Sequence, residues 1–376
     1  VQILDFDRAS RPGDQSMVRQ DNEVARMSSN MKALVKPGPG PGLRLIEKPI
    51  PELTDDGVRI KVLATSICGT DLHIYNWDSW AASKVKAPLT VGHEFCGEVL
   101  EVGPGVSRFQ AGDYVAAESH IFCDHCRPCR TGQRHICENE KIIGVQRDGA
   151  FAEQIVMPER CVWRTPTRLP PEIATLQEPL GNSVHVALAA EVSRRHVLVT
   201  GCGPTGLFAV AIAKTCGAAS VTAVDIQDYR LSLATQLGAD HTISPLKCDL
   251  VPRVHELTDG RGADVVLEMS GNEQAIEDGL RCLSRGGDYR FFGVPSERIS
   301  IDVARDIIFK GARLQGILGR KVWDTWHDTA RLLEAGLDLT PIVTHKLPLE
   351  EFETAFDLIR EGKCGKIILY PGECAL

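Results

Sequence analysis

His196-Val197-Leu198-Val199-Thr200-Gly201-Cys202-Gly203-Pro204-Thr205-Gly206 is a strand-like run of five residues that passes straight into a glycine triplet. Each glycine has its own reason. Gly201 permits a tight turn, Gly203 lets backbone approach a pyrophosphate, and Gly206 allows a helix to pack close against the strand. Alone, a triplet is a weak signal. Here a strand precedes it, a helix-length apolar segment follows, and Asp225 ends the next strand-like run 19 residues after Gly206. A carboxylate in that place accepts hydrogen bonds from adenosine ribose hydroxyls and repels a 2′-phosphate, whereas a plain turn or capping Asp would need no such spacing. The pattern points to a dinucleotide, with NAD preferred over NADP.

Working outward, strand-like runs alternate with helix-length segments after Gly181: His196–Thr200, Ser220–Val224, His241–Ile243, Ala263–Glu268, Asp288–Phe292 and Ala312–Ile317. Six strands with crossovers predict an α/β, doubly wound parallel sheet over residues 181–320. Residues 31–180 read differently. Short β-branched runs (Lys32–Val35, Val58–Ala64, Gly97–Val102, Tyr114–Ala117, Phe151–Val156) are punctuated by Gly, Pro and Asp, as in a mostly β domain. Beyond 320 come helical patterns at Asp324–Ala335 and Glu350–Glu361. That tail is too short to stand alone, so 321–376 is expected to complete the first domain. Residues 1–30 show no apolar periodicity and read as a polar, mobile extension.

Within the β domain lies Cys123-x2-Cys126-x2-Cys129-x7-Cys137. Four thiolates inside fifteen residues can close a tetrahedral zinc site with no open position, which is a structural role; an iron–sulfur cluster is the other possibility. Ordinary core cysteines fit poorly, because Asp124, His125, Arg127, Pro128 and Arg130 make the segment polar. Cys68, Thr70, His73, then Gly92-His93-Glu94, then Glu178 form a looser set. Cys, His and carboxylate are zinc ligands, and three of them leave a position for catalysis. Spacing alone leaves core residues an equal reading.

Composition narrows the function classes. Apolar residues make up 43 % and charged residues 24 % of 376, which suits a folded chain rather than a disordered one. Asp plus Glu (50) outnumber Lys plus Arg (42), giving −8, the wrong sign for a nucleic-acid groove. The longest apolar run, Gly206 to Ala213, falls far short of the ~18 residues that read as a membrane span. Residues 1–30 carry four Arg and five acids and no apolar h-region, so neither a signal nor a transit peptide is expected. Thirteen cysteines, an odd count in a long chain, fit a reducing cytoplasm, where clustered cysteines suggest metal.

Gly92-His93-Glu94-x2-Gly97-x5-Gly103-x2-Val106 resembles the zinc signature of the medium-chain, zinc-dependent alcohol dehydrogenase superfamily, whose catalytic domain is GroES-like. The four-cysteine lobe and the Gly201 fingerprint stand in that family's order, and the resemblance covers Met31 to Tyr370. Within the superfamily, the segments Ile67–Asp78, Glu178–Asn182, Ile308–Gly311 and Gly336–His345 are most similar to the L-threonine 3-dehydrogenase family. The resemblance implies two zinc ions per chain: a catalytic one on Cys68, His93 and Glu94, and a structural one on the four cysteines. It implies a proton relay through Thr70 to His73, with Glu178 either a ligand or a relay member. It implies NAD contacts from Thr205, Asp225, Arg230, Phe292, Gly293, Val294, Ile317 and Leu318. The reaction the resemblance implies is NAD-dependent oxidation of L-threonine at its secondary alcohol to 2-amino-3-oxobutanoate, in threonine catabolism, by a homotetramer. A polyol or diol dehydrogenase of the same superfamily is the alternative. Which group pairs with a substrate ammonium stays open, as does whether Trp77 and Trp80 wall the pocket or simply pack in a loop.

Overall fold

In this computed structural model residues 30–166 and 168–372 are described, so the extension read over 1–30 lies outside them except for Asn30, which begins the first strand. The dinucleotide half is a six-stranded parallel sheet in the spatial order His241–Ile243, Ser220–Val224, His196–Thr200, Ala263–Glu268, Leu283–Phe291, Arg313–Gly316. Numbered along the chain, that is 3-2-1-4-5-6, the doubly wound order with its reversal point beside the first strand. The fingerprint helix Pro204–Thr215 buries Leu207 through Ala213 between this sheet and the helix Gln177–Leu188. Proline at its first position suits a helix start, where the missing N–H would have had no partner. A Cβ on Gly206 would stand 1.8 Å from the Gly201 carbonyl oxygen, so Gly206→Ala alone would push helix and strand apart.

Two details of this half differ from the sequence reading. The fifth strand starts at Leu283 rather than Asp288, with a register shift opposite Ala263 and Val265 that absorbs the extra length. The change of pattern at Gly181 falls inside the helix Gln177–Leu188. That glycine is a packing residue: a Cβ there would meet Arg320 Cδ at 2.8 Å.

The β half is a seven-stranded sheet in the order Val162–Arg164, Tyr114–Ala117, Glu94–Val102, Gly57–Ser66, Lys366–Tyr370, Val343–Pro348, with Gln154–Pro158 also paired to Gly57–Ser66. The run expected at Phe151–Val156 is therefore shifted toward the C-terminus; Phe151 itself serves as the ring that Gly92 packs against. The C-terminal strand inserts between two others, Ile368 facing Ser66 and Leu369 facing Thr65. Alternation explains the register: Val58, Ile60, Val62 and Ala64 point inward while Arg59 and Lys61 do not. Among the described residues no helix is long and apolar enough to cross a membrane.

Candidate active site

Cys68 follows the strand Gly57–Ser66 and is the N-cap of the helix Gly69–Asn76. Its backbone N–H donates to Asp71 Oδ2 at 2.9 Å, and the Asp71 backbone approaches the Cys68 sulfur, a reciprocal cap that fixes where the thiol points. His93 and Glu94 open the neighbouring strand Glu94–Val102. Gly92 turns the chain there at φ +90°, with Phe151 lying 2.2 Å from where a Cβ would be. Sheet register does the rest. Glu94 lies opposite Ser66, two residues before Cys68, so the ends of two adjacent antiparallel strands bring the three donors together. One ligand atom from each of Cys68, His93 and Glu94 lies within 4.8 Å of the others.

The donor set fits zinc. His93 is buried, and its Nδ1 has no hydrogen-bond partner but stands 3.5 Å from the buried, equally orphaned Asp71 Oδ1. A carboxylate on the far nitrogen of an imidazole is the usual arrangement behind a metal-bound histidine, where it sets tautomer and ring angle. Burial opposes a charge on His93, but Asp71 and Cys68 outweigh it and hold the imidazole well above its usual pKa. Glu94 is pushed up by burial, opposed by Lys366, whose ammonium contacts its Oε2 together with the Ser66 hydroxyl. Lys366 also donates to the Ile67 carbonyl at 3.1 Å.

Thr70 Oγ1 lies 3.8 Å from Cys68 Sγ, and His73 stands one turn further along the same helix with its imidazole largely exposed. Glu178 is not part of the three-donor cluster. Its Oε1 takes the Ser119 hydroxyl at 2.5 Å and Arg320 Nη1 at 2.8 Å. Glu178, Glu118 and His120 do approach one another as a metal set would, yet a buried guanidinium already occupies their centre. Arg320 contacts both carboxylates, Asn182 and His120, while Trp326 Nε1 donates to Glu118 at 2.9 Å. Against a strong desolvation, Arg320 holds Glu118 far below the ordinary carboxylate range. This is a satisfied charge network, not a second cation site.

The four cysteines also meet within 4.8 Å, with Cys126, Cys129 and Cys137 buried. Backbone amides of Cys126 and Asn139 donate to the sulfurs of Cys123 and Cys137 at 3.4 Å. Although desolvation opposes it, the amides of His125 and Cys126 pull the Cys123 thiol down to about 5, whereas burial pushes Cys129 and Cys137 up.

At the carboxyl ends of the parallel strands, Gly201 adopts φ +87° and a Cβ on Gly203 would meet nothing within 4 Å, the open cradle a pyrophosphate needs. Asp225 is buried at the next strand end. Its oxygens accept from the amides of Cys202 (2.7 Å) and Gln227 (2.8 Å), with Arg230 at 3.8 Å. Val294 and Leu318 stand exposed at the rim, Phe292 and Gly293 donate their amides to the Glu268 carbonyl, and the Ile317 side chain is buried in the core. The Ile317 amide donates to the Phe291 carbonyl at 2.8 Å, so only the Ile317 carbonyl is left to face a ligand. The Thr205 carbonyl accepts from Ser183 Oγ at 2.7 Å, tying the fingerprint helix to the helix that carries Glu178.

Sequence reading missed Ser66, Asp71, Asp78, Glu118, His120, Arg320 and Lys366. Asp71 left a usable signal, an acid one turn after a candidate ligand at a helix start. Arg320 and Lys366 left none, since they stand 202 residues from Glu118 and 272 from Glu94.

Residues 54–167 match the family model described as the alcohol dehydrogenase GroES-like domain, and 204–335 the one described as zinc-binding dehydrogenase. The chain is 48 % identical to an L-threonine 3-dehydrogenase of Bacillus velezensis over 92 % of its own length and all of the relative's. It is 50 % identical to one of Symbiobacterium thermophilum, covering 92 % of this chain and 99 % of that one. The structure resembles 2R,3R-butanediol dehydrogenase of Bacillus subtilis, with a TM-score of 0.84 and 28 % identity over 91 % of this chain and all of that one.

Proposed function

The chain belongs to the zinc-binding alcohol dehydrogenases with a GroES-like domain, and from that membership we propose that it oxidises L-threonine at its secondary alcohol with NAD+, giving 2-amino-3-oxobutanoate and NADH. The observation that carries the reading is near-half identity to threonine dehydrogenases over almost their whole length, with Cys68, His93 and Glu94 gathered into one donor set. Cys68, His93 and Glu94 would hold a catalytic zinc, and Cys123, Cys126, Cys129 and Cys137 a structural one. When bound, zinc supplies Lewis acidity toward the substrate hydroxyl and the nicotinamide accepts the hydride.

The chain's own residues do the rest. Asp71 orients His93 from behind, and Lys366 with Ser66 fixes the Glu94 carboxylate. Thr70 passes the hydroxyl proton to His73, which releases it to water at the exposed end of the helix. Glu178, pinned by Ser119 and Arg320, adds negative charge beside Glu94 and serves as a fixed electrostatic group rather than a ligand. Gly201, Gly203 and Thr205 would cradle the NAD pyrophosphate, Gly206 keeping the helix close behind them, and Asp225 with Arg230 would hold the adenosine ribose. Phe292 to Val294, the Ile317 carbonyl and Leu318 border the nicotinamide side.

A homo-oligomer, a tetramer by family likeness, is supported by the edge of the strand Arg313–Gly316, unpaired among the described residues, with Ile308 and Phe309 just before it both more than half exposed. The cysteines of the described residues form no disulfide, in keeping with a reducing cytoplasm.

The likeness to a butanediol dehydrogenase favours one second reading, a diol or polyol as substrate. kcat/KM for L-threonine, 2,3-butanediol and sorbitol with saturating NAD+ separates the two. Threonine should win, because a site built around a zwitterion leaves its own charges unpaired when the ligand lacks one. Sorbitol or the diol ahead by tenfold, about 1.4 kcal/mol of transition-state preference, would remove the threonine assignment and leave the zinc dehydrogenase standing.

A further inference from the structure

Behind His73 stands a carboxylate that the relay of two residues does not use. Asp78 Oδ2 meets His73 Nδ1 in a short hydrogen bond, and the Trp80 ring lies 5.8 Å from the imidazole. Asp78 is held from its other side. It is the N-cap of the helix Ser79–Lys84, with Oδ1 accepting the Ala81 amide at 2.9 Å, while its own amide points at the His73 carbonyl. The two oxygens of this one carboxylate therefore act separately: Oδ1 caps a helix and Oδ2 faces the imidazole. Trp77 turns the chain between the two helices in the left-handed region, φ 56°, which brings Asp78 back against the helix that carries His73.

We propose that Asp78 is the positioning residue of the proton relay, fixing the His73 tautomer by accepting its Nδ1–H and so leaving Nε2 as the basic nitrogen. The idea rests on the dehydrogenase reading above. An ionised carboxylate has no proton to give, so a neutral His73 hydrogen-bonded to it must carry its hydrogen on Nδ1. The Ala81 amide lowers the Asp78 pKa against a desolvation that opposes it, which keeps the group ionised through the neutral range. In turnover the Thr70 O–H bond breaks as a bond forms from hydrogen to His73 Nε2. The Thr70 oxygen takes the substrate's hydroxyl proton, and the imidazolium hands the surplus proton to water.

The same geometry distinguishes two substitutions that both keep a good N-cap. In Asp78→Asn the single amide oxygen is claimed by the Ala81 amide, so the NH2 faces His73 Nδ1. That donor forces the ring hydrogen onto Nε2, the tautomer unable to take a proton from Thr70. In Asp78→Ser the hydroxyl keeps the cap and nothing dictates the tautomer. The test combines steady-state kinetics on the zinc- and NAD-loaded enzyme with solid-state 15N spectra of histidine-labelled protein, the His73 signals being assigned by their loss in His73→Gln. Expected are a drop in kcat of about a hundredfold in Asp78→Asn, a smaller drop in Asp78→Ser, KM for threonine nearly unchanged in both, and an exchange of protonated and unprotonated ring nitrogens in the Asn variant. A structural role would make the two variants alike and leave the ring nitrogens as they were. Wild-type kcat in Asp78→Asn, or an unaltered tautomer, overturns the proposal. Wild-type protein that fails to oxidise threonine would instead overturn the substrate reading, because the 15N pattern does not depend on turnover.

Discussion

The two candidate zinc sites are built in opposite ways. The four-cysteine lobe takes all its donors from fifteen consecutive residues and holds them with amides of the same stretch and of Asn139 two residues beyond it. The Cys68–His93–Glu94 set takes donors from two strand ends and relies on one local group, Asp71 in the cap beside Cys68, and one distant group, Lys366. A closed, local, all-thiolate site contributes folding free energy. An open set with a carboxylate, an orienting acid and a nearby lysine is arranged for exchange at one position. Difference in construction should therefore appear as difference in consequence.

The largest expected effect is on turnover. His93→Ala should lower kcat by roughly three orders of magnitude or more, since metal activation of a hydroxyl is worth several kcal/mol, while the far-UV spectrum stays native. Loss of secondary structure in that variant would erase the contrast. Cys126→Ser should act the other way, lowering Tm by about 10 °C with turnover per folded molecule preserved; thermal melts and metal analysis on the same samples decide it. A chelator titration sharpens the point, because activity and one zinc should leave together before any unfolding.

Arg320→Met should destabilise by about 3–5 kcal/mol, because it leaves Glu118 and Glu178 buried without their cation. The effect has a definite sign with pH. Glu118 has a depressed folded pKa, so the stability it contributes is fully present above its unfolded value of about 4.3 and is lost as pH falls toward the folded one. The deficit of the variant should be greatest at neutral pH and shrink below about pH 4. Denaturant melts at pH 7 and pH 3.5 showing equal deficits would contradict that account. The smallest effect lies at the cofactor: Asp225→Gly removes the ribose acceptor and the charge that repels a 2′-phosphate, so the NAD+ over NADP+ preference should fall about tenfold, some 1.4 kcal/mol. Equal use of both cofactors by the wild type would refute the role given to Asp225.

The same contrast explains what the sequence disclosed. Cys123 to Cys137 and Gly201 to Gly206 are chemistry written within one turn or loop, where spacing and geometry are nearly the same thing. Six strands of the dinucleotide sheet were legible because alternation and crossover length are local too. The fifth nonetheless gained Leu283 to Gly287, residues that join it only through a register shift against its neighbour. Cys68, His93 and Glu94 became convincing only through resemblance, since their meeting depends on which residue of one strand faces which of another. Arg320 carries no mark in the sequence and is buried in the structure, with Gly181 kept small to let it pass. Long-range complementarity of that kind leaves no periodic trace.

Lys366 has a consequence for how such a chain is made. It belongs to the final strand, and that strand lies between Gly57–Ser66 and Val343–Pro348 in the sheet that carries the donors. During synthesis the dinucleotide half can close as soon as its sixth strand has emerged. The half whose donor strands come earlier in the sequence must wait with its sheet split and Glu94 without its ammonium until Lys366–Tyr370 has emerged as well. Domains usually mature in the order in which they are made; here the order is reversed. A chain cut short before Lys366 would hold all six strands of the nucleotide sheet beside a second sheet whose Gly57–Ser66 and Val343–Pro348 strands lack the partner they share.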